Sequence, residues 1–434
     1  MNKLSIIPFS VFLILGCSNP EKKETSNIAI SESEVLDKLF SLSETQNYFE
    51  LQSYLGKNKG ELSEEHALYF TSIIENAFNN PQESNVAISS LLALNTTEID
   101  DTLIRNLYRL KIFNHTKMYE YELASQTTDL LLKNYSEIMD SSGVASFDNT
   151  NKIWTALKNT PRQQVTRNQD FTMALVRDIA GLFNIDVTFS DTTQNLIFDT
   201  GADFSVIRRS LVEKFGLTLI ESDFMVGSAT GVNVKSDLAV ADQLDIGGMK
   251  FENVVFLVIE DKDLSFPGYD IYGIIGFPVI EAMKEIHITK DDSLFVPKIL
   301  THYSYNNFAL DGFKPVVSVK HKGDNLMFHF DTGAENTSLF PNFFKKYKKD
   351  IETNYQKETL SSGSAGGVAK FEGYNISGVT LSVAGSAAEL DNMKVHIDEV
   401  GQKENIFHGN LGQDFIKQFG KMIISFEHSS ILFE

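Results

Sequence analysis

Between residues 34 and about 158 apolar positions recur every three or four residues. Val35, Leu36, Leu39 and Phe40 fall on one face of a helix, and the same spacing returns in Ala67, Leu68, Thr71 and Ile74 and in Leu103, Leu107 and Leu110. That period lines one stripe of a helix with side chains able to leave water together. Gly56 to Gly60, Asn79-Asn80-Pro81 and Ser141-Ser142-Gly143 interrupt it, and these residue types punctuate helices. Trp154 and Leu157 read as packing for the last helix. After Pro161 the texture changes to strands. Thr172 to Ile179 and Asn184 to Phe189 alternate or run apolar, and Asp191-Thr192-Thr193-Gln194 makes a hairpin turn. Ser210 to Phe215 predicts a short helix, and Val254 to Val258 predicts a buried strand. Pro297 to Asn307 reads as a link. Val316 to Val319 then starts a second run of strands, with His321-Lys322-Gly323-Asp324 as its first turn.

The strand-rich part is written twice, and a repeat constrains the fold more than any local pattern does. Phe198-Asp199-Thr200-Gly201-Ala202 returns as Phe330-Asp331-Thr332-Gly333-Ala334, each at the end of an apolar run. Gly227-Ser228-Ala229-Thr230-Gly231 is matched by Gly363-Ser364-Ala365-Gly366-Gly367, and Gly273-Ile274-Ile275-Gly276 by Gly409-Asn410-Leu411-Gly412. Gly227 to Gly276 is as long as Gly363 to Gly412; only the segment just after each Asp turn differs in length. A strand thus runs twice into a tight glycine turn with a carboxylate at its tip. Glycine admits a backbone approach that a side chain would block, and the Thr hydroxyl can bond across a turn. Two like halves in one chain predict a pseudo-two-fold pair with Asp199 and Asp331 facing each other.

From about residue 165 to the end the chain resembles the aspartic proteases, and Asp199-Thr-Gly-Ala-Asp-x-Ser is most similar to the retroviral-type, retropepsin-like branch. The resemblance implies that Asp199 and Asp331 are catalytic, with Thr200, Gly201, Ala202, Thr332, Gly333 and Ala334 supporting the two turns. It implies flaps at Gly227, Ser228, Ala229, Thr230 and Gly231 and at Gly363, Ser364, Ala365, Gly366 and Gly367. It also implies that Ile274-Ile275-Gly276 and Leu411-Gly412 pack behind the turns. The chain departs from the retroviral pattern in carrying both halves itself, as the pepsins do. The second copy has Glu335-Asn336 where the first has Asp203-Phe204, and Asn410 stands where an apolar residue is expected.

The fold class so expected is α+β and multidomain. An all-α domain of helical hairpins, tetratricopeptide-like, spans 34–160; an irregular helical domain with no binding surface is the alternative reading. An all-β, bilobal acid-protease fold follows, with lobes at 161–300 and 301–434. Ahead of these, Asn2-Lys3 and the apolar Ile6 to Leu15 read as a signal peptide over 1–16, too short to span a bilayer. Ile14-Leu15-Gly16-Cys17 resembles a lipoprotein cleavage box, which would make Cys17 a lipid attachment point and hold the chain on a membrane; a plain signal peptide with an incidental cysteine is the alternative. Ser18, rather than an acidic residue, after Cys17 resembles outer-membrane sorting, so the expected place is the cell envelope, periplasmic or surface-facing. Residues 17–33 are polar and charged, as in a flexible tether.

Composition removes other classes. The formal net charge of −20 argues against a nucleic-acid partner, which needs basic patches. With one cysteine there is no intrachain disulfide, and no Cys/His cluster, zinc-protease helix or phosphate loop occurs. The chemistry expected of two adjacent carboxyls needs neither metal nor cofactor: one pKa rises and the pair shares a proton. The ionised partner can activate a water against a peptide carbonyl while the protonated one bonds the carbonyl oxygen. In the pepsins a hydroxyl residue stands where Ala202 and Ala334 are; its absence leaves the pair's pKa values higher, and predicts a weakly acid to near-neutral optimum. The partners expected are a peptide or protein substrate and, for the helical domain, another protein. Two rivals stand beside the endopeptidase: a peptide-gripping protein of the same fold that does not cut, and a helical domain that acts as a removable inhibitory segment.

Overall fold

The computed structural model describes residues 34–94, 99–227, 233–364, 367–399 and 406–434. The expected signal peptide, Cys17 and the tether lie outside the described residues, as do Ser228 to Gly231, Ala365 and Gly366. An N-terminal helical region is followed by a large β-rich region. The chain divides into two compact units, residues 34–162 together with Ala309–Gly312, and residues 163–308 together with 313–434.

In the first unit the helices Glu34–Glu44, Tyr48–Asn58, Glu64–Ala77, Pro81–Ala93, Asp101–Lys117, Tyr121–Tyr135 and Ser141–Leu157 each pack on the next. Leu39, Leu51, Phe70, Ile88, Leu107, Leu131 and Trp154 are fully buried along the stack. The expected breaks mark helix ends. Ser63, Asp100 and Asp140 cap three N-termini, accepting from the N–H of His66, Leu103 and Gly143. Gly143 therefore lies inside the first turn of a helix, where the capping Asp140 makes a Ser-Ser-Gly sequence helical. A polar seam runs through this core. Asn76 donates to Asn114 Oδ1, Asn114 donates to Ser84 and Asn85, and Lys117 Nζ reaches Asn76 O at 2.9 Å. Buried polar groups are tolerable when they satisfy one another in this way.

The second unit is built from sheets. In a nine-stranded sheet, Gly273–Ile275 lies parallel to Thr192–Phe198 and antiparallel to Ser205–Arg208, which in turn runs parallel to Met249–Ile259. The second large sheet repeats this with Gly409–Leu411 against Asp324–Phe330 and Ser338–Leu339, and with Ser338–Leu339 beside Met393–His396. The strands entering both Asp turns are buried at their ends, Leu196-Ile197-Phe198 and Phe328 with Phe330, as an apolar run in a central strand should be.

A five-stranded sheet draws on both sides of residue 300, in the order Phe171–Ala174, Ser293–Val296, Glu285–Thr289, Lys421–Ser425, Ser430–Phe433. At its centre Ile286 pairs with Ile424, His287 with Ile423 and Ile288 with Met422. His287 and Ile423 stand at the same distance from Gly276 and Gly412, so equivalent strands of the repeat pair with each other about equivalent residues. The expected strand over 172–179 is two pieces, Phe171–Ala174 and Val176–Arg177. Leu175 between them turns its N–H to Asp292 O at 2.7 Å. The length difference between the repeats is helical. Arg209–Lys214 follows the first turn, whereas Pro341–Asn354, bent at Tyr347, follows the second and buries Phe343, Phe344 and Ile351.

Candidate active site

Each Asp turn is held from behind by the short strand that carries its glycine. Asp199 N–H donates to Ile275 O at 3.1 Å and Asp331 N–H to Leu411 O at 3.0 Å. Gly276 N–H donates to Ser205 Oγ, and Gly412 N–H to Thr337 Oγ1, both at 3.1 Å. A Cβ on Gly276 would lie 2.5 Å from the Phe204 backbone, and one on Gly412 would lie 2.7 Å from that of Asn336. Only glycine lets strand and turn approach this closely.

The two turns then meet face to face. Thr200 N–H donates to Thr332 Oγ1 and Thr332 N–H to Thr200 Oγ1, each at 3.0 Å. Thr332 Oγ1 passes its own proton on to Phe198 O at 3.1 Å. The glycines bring the acids together: a Cβ on Gly201 would lie 2.6 Å from Asp331 Cγ, and one on Gly333 only 2.3 Å from Asp199 Cγ. Gly201 N–H donates to Asp199 Oδ1 at 2.7 Å and Gly333 N–H to Asp331 Oδ1 at 2.8 Å. Each carboxyl group thus packs against the glycine of the opposite turn, and the Asp331 charge acts on Asp199. Asp199, Thr200, Thr332, Ala202 and Ala334 are all buried, and Asp331 is 3 % exposed.

Burial is the main force on both acids, and it favours the neutral form. It holds Asp199 well above its ordinary 3.8; the Asp331 charge adds to the rise, while the Gly201 and Ala202 N–H groups oppose it. Asp331 is raised too, but the neighbouring Asp199 carboxyl, hydrogen bonds from Asn410 and Gly333 and the charge of Lys314 pull it back. The pair is therefore unequal. Asn410 Nδ2 donates to Asp331 Oδ2 at 3.1 Å, whereas Asp199 Oδ2 is buried and has no hydrogen-bond donor among the described residues.

Ser205 and Thr337 are the matched hydroxyl residues that follow the two Asp turns in the sequence, and Asn410 departs from the repeat, whereas nothing in the sequence ties Gln413 or Arg177 to the site. Gln413 Nε2 donates to Thr332 O at 2.6 Å, and Arg177 donates to Gln413 Oε1 while pairing with Asp292 at 2.6 Å. A charged chain thus ends on the backbone of the second turn. Asn410 had a signal, a polar residue at an apolar place in the repeat; Arg177 lies far from the motif in sequence and had none.

Of the expected flap residues, Gly227 ends the strand Thr218–Gly227 and pairs with Asn233 of Asn233–Ile246. Gly363 pairs with Val368 and Ser364 with Gly367 at the end of another hairpin, Lys357–Ser364 with Gly367–Ile376. Among the described residues no group of His, Cys, Asp and Glu could hold a metal ion, and no helix is long and apolar enough to cross a membrane.

Comparison with known proteins bears on the first turn. Residues 185–279, which include Asp199 and Gly276, match the aspartyl protease family model. That match supports an aspartic protease-type function for this region. No curated protein matches the chain. Among solved structures, a retropepsin-like aspartic protease from Rickettsia conorii is 22% identical, over 29% of this chain and 97% of that chain, with a TM-score of 0.22.

Proposed function

We propose that the chain is an aspartic-type endopeptidase that hydrolyses peptide bonds with water activated between Asp199 and Asp331. The observation that carries this reading is the meeting of the two turns, with both carboxyls buried and each packed against the glycine of the other turn. Two acids so close cannot both ionise cheaply, so the pair holds one proton between them. The ionised carboxylate takes a proton from water as the water attacks the scissile carbonyl. The neutral carboxyl donates to the carbonyl oxygen, giving a tetrahedral diol. The roles then exchange: the newly protonated acid gives its proton to the leaving nitrogen, and the diol loses a proton to the other carboxylate. Thr200 and Thr332 hold the geometry, which matters because small misplacements of reacting groups are costly. The hairpins ending at Gly227 and Gly363 serve in this reading as flaps that cover an extended peptide.

In the same proposal the two halves act as the two lobes of one protease, and the helical unit, as stacked hairpins, recruits a protein partner. Cys17 carries lipid and holds the chain at the cell envelope; a Cys17→Ser variant should then leave the membrane fraction. The catalytic reading is tested on a peptide library with the full chain. Wild type should cleave, and Asp199→Asn and Asp331→Asn should each lose at least about 10³-fold in kcat/KM, the weight of a general acid-base group. Equal behaviour of all three proteins would leave a peptide-gripping protein in its place.

A further inference from the structure

The backbone of the site is close to symmetric, but the groups facing the two acids are not. Ile274 lies beside Ile197 on the strand behind the first turn, and Asn410 lies beside His329 at the same register behind the second. The carboxamide of Asn410 reaches Asp331 Oδ2 at 3.1 Å, and Ile274 offers Asp199 nothing equivalent. Asp199 Oδ2 is buried and has no hydrogen-bond donor among the described residues. Lys314, on the strand Lys314–His321, bears on Asp331, and His329 is kept neutral by burial and by the charge of Lys314.

We propose that Asn410 is a positioning residue that fixes the charge of the resting pair on Asp331 and the proton on Asp199. A carboxamide N–H donated to a carboxylate stabilises the charged form, and a buried oxygen without a donor is better left as part of a neutral carboxyl. The lysine acts in the same direction. Asp331 is therefore the base that accepts the proton of the attacking water, and Asp199 is the acid that meets the scissile carbonyl. The inference rests on the catalytic reading above for its meaning, but the proton's place can be measured without turnover.

The test uses the full chain and two readouts. The first is the carboxyl titration of Asp331, followed by ¹³C NMR in an Asp199→Asn background with and without Asn410→Ile, the residue of the first repeat. Losing the donor should raise the Asp331 titration by about one unit, the scale of a hydrogen bond to a charged group, while Asp199 in an Asp331→Asn background should not respond. The second readout is the acid limb of the kcat/KM profile on the peptide library, which reports the first ionisation of the free enzyme's pair. Asn410→Ile should move it upward, and Ile274→Asn, which gives Asp199 a donor of its own, should restore part of the shift in the double variant. An unchanged or lowered Asp331 titration overturns the inference; the lowered outcome would mean that the amide oxygen faces a protonated Asp331. A shifted titration in a protein that cleaves nothing removes the catalytic reading alone.

Discussion

The two halves of the β-rich unit keep one backbone and surround it differently. At the register positions around the Asp199 turn stand Ile197, Ile274, Leu257 and Ile259; around the Asp331 turn the same positions are His329, Asn410, Lys394 and His396. Helix-side contacts diverge as well, with Phe277 after Gly276 and Gln413, bonded to Thr332 O, after Gly412. The duplication preserved what brings two carboxyls together and freed the side chains that decide how they share a charge. A half with apolar walls favours a neutral acid, and a half with donors and a lysine favours an ionised one. Asymmetry of this kind lets one pair supply an acid and a base at once.

The glycines test whether the shared backbone is indispensable, and here the largest effects are expected. Gly333→Ala would set a methyl 2.3 Å from Asp199 Cγ, and Gly201→Ala one 2.6 Å from Asp331 Cγ. Either should cost about 10²-fold or more in kcat/KM by pushing the acids apart, with Gly333→Ala the worse. Near-normal activity in both would show that the turns need not touch.

The threonines sharpen the comparison. Both hydroxyls accept a backbone N–H, but only Thr332 is seen to donate onward, to Phe198 O. Thr332→Val should therefore destabilise by about 2–3 kcal/mol and Thr200→Val by about 1–2 kcal/mol, on the scale of buried donors and acceptors left unmatched. Urea unfolding of the two variants checks the order; a larger loss at Thr200 would reverse it.

A pH effect follows from the raised Asp199. Its folded pKa lies above 3.8, so the stability it contributes is complete below that value and is lost as pH rises through the folded value. Asp199→Asn should melt a few degrees above wild type near pH 8, with the gap closing toward pH 4. A variant that melts lower than wild type at pH 8 would contradict the cost assigned to burying this charge.

The smallest effect belongs to the second half alone. Burial pushes His396 from 6.5 down to about 4, with the Lys394 charge adding to it. Its contribution is complete above 6.5 and fades as pH falls toward 4, because the buried imidazole must then charge. His396→Ile, the first half's residue at this place, should flatten the acid loss of stability between those values in urea titrations. An identical slope would assign the loss elsewhere.

What could be read in the sequence follows from how local each signal is. The helical start shows in the spacing of Leu36, Leu39, Leu103 and Leu107, because each helix turns a stripe toward its neighbours. The Asp turns show because Asp-Thr-Gly-Ala is short, contiguous and repeated. The pairing of Glu285–Thr289 with Lys421–Ser425 does not show, since strands that distant carry no mark of their partner. Pro341–Asn354 does not show either, because a run of lysines hides the apolar Phe343, Phe344 and Ile351 that its bent helix buries. Arg177 and Gln413 leave no mark in the sequence because their link exists only after folding brings them together.

The central claim is that one water, activated by both acids, is added across a peptide bond. The direct measurement is peptide cleavage in ¹⁸O-enriched water by the full chain and by each Asp→Asn variant, with the products weighed by mass spectrometry. The account predicts fragments from wild type whose new carboxyl terminus carries the label, and none from Asp199→Asn or Asp331→Asn. The same labelled fragments from either variant would contradict it.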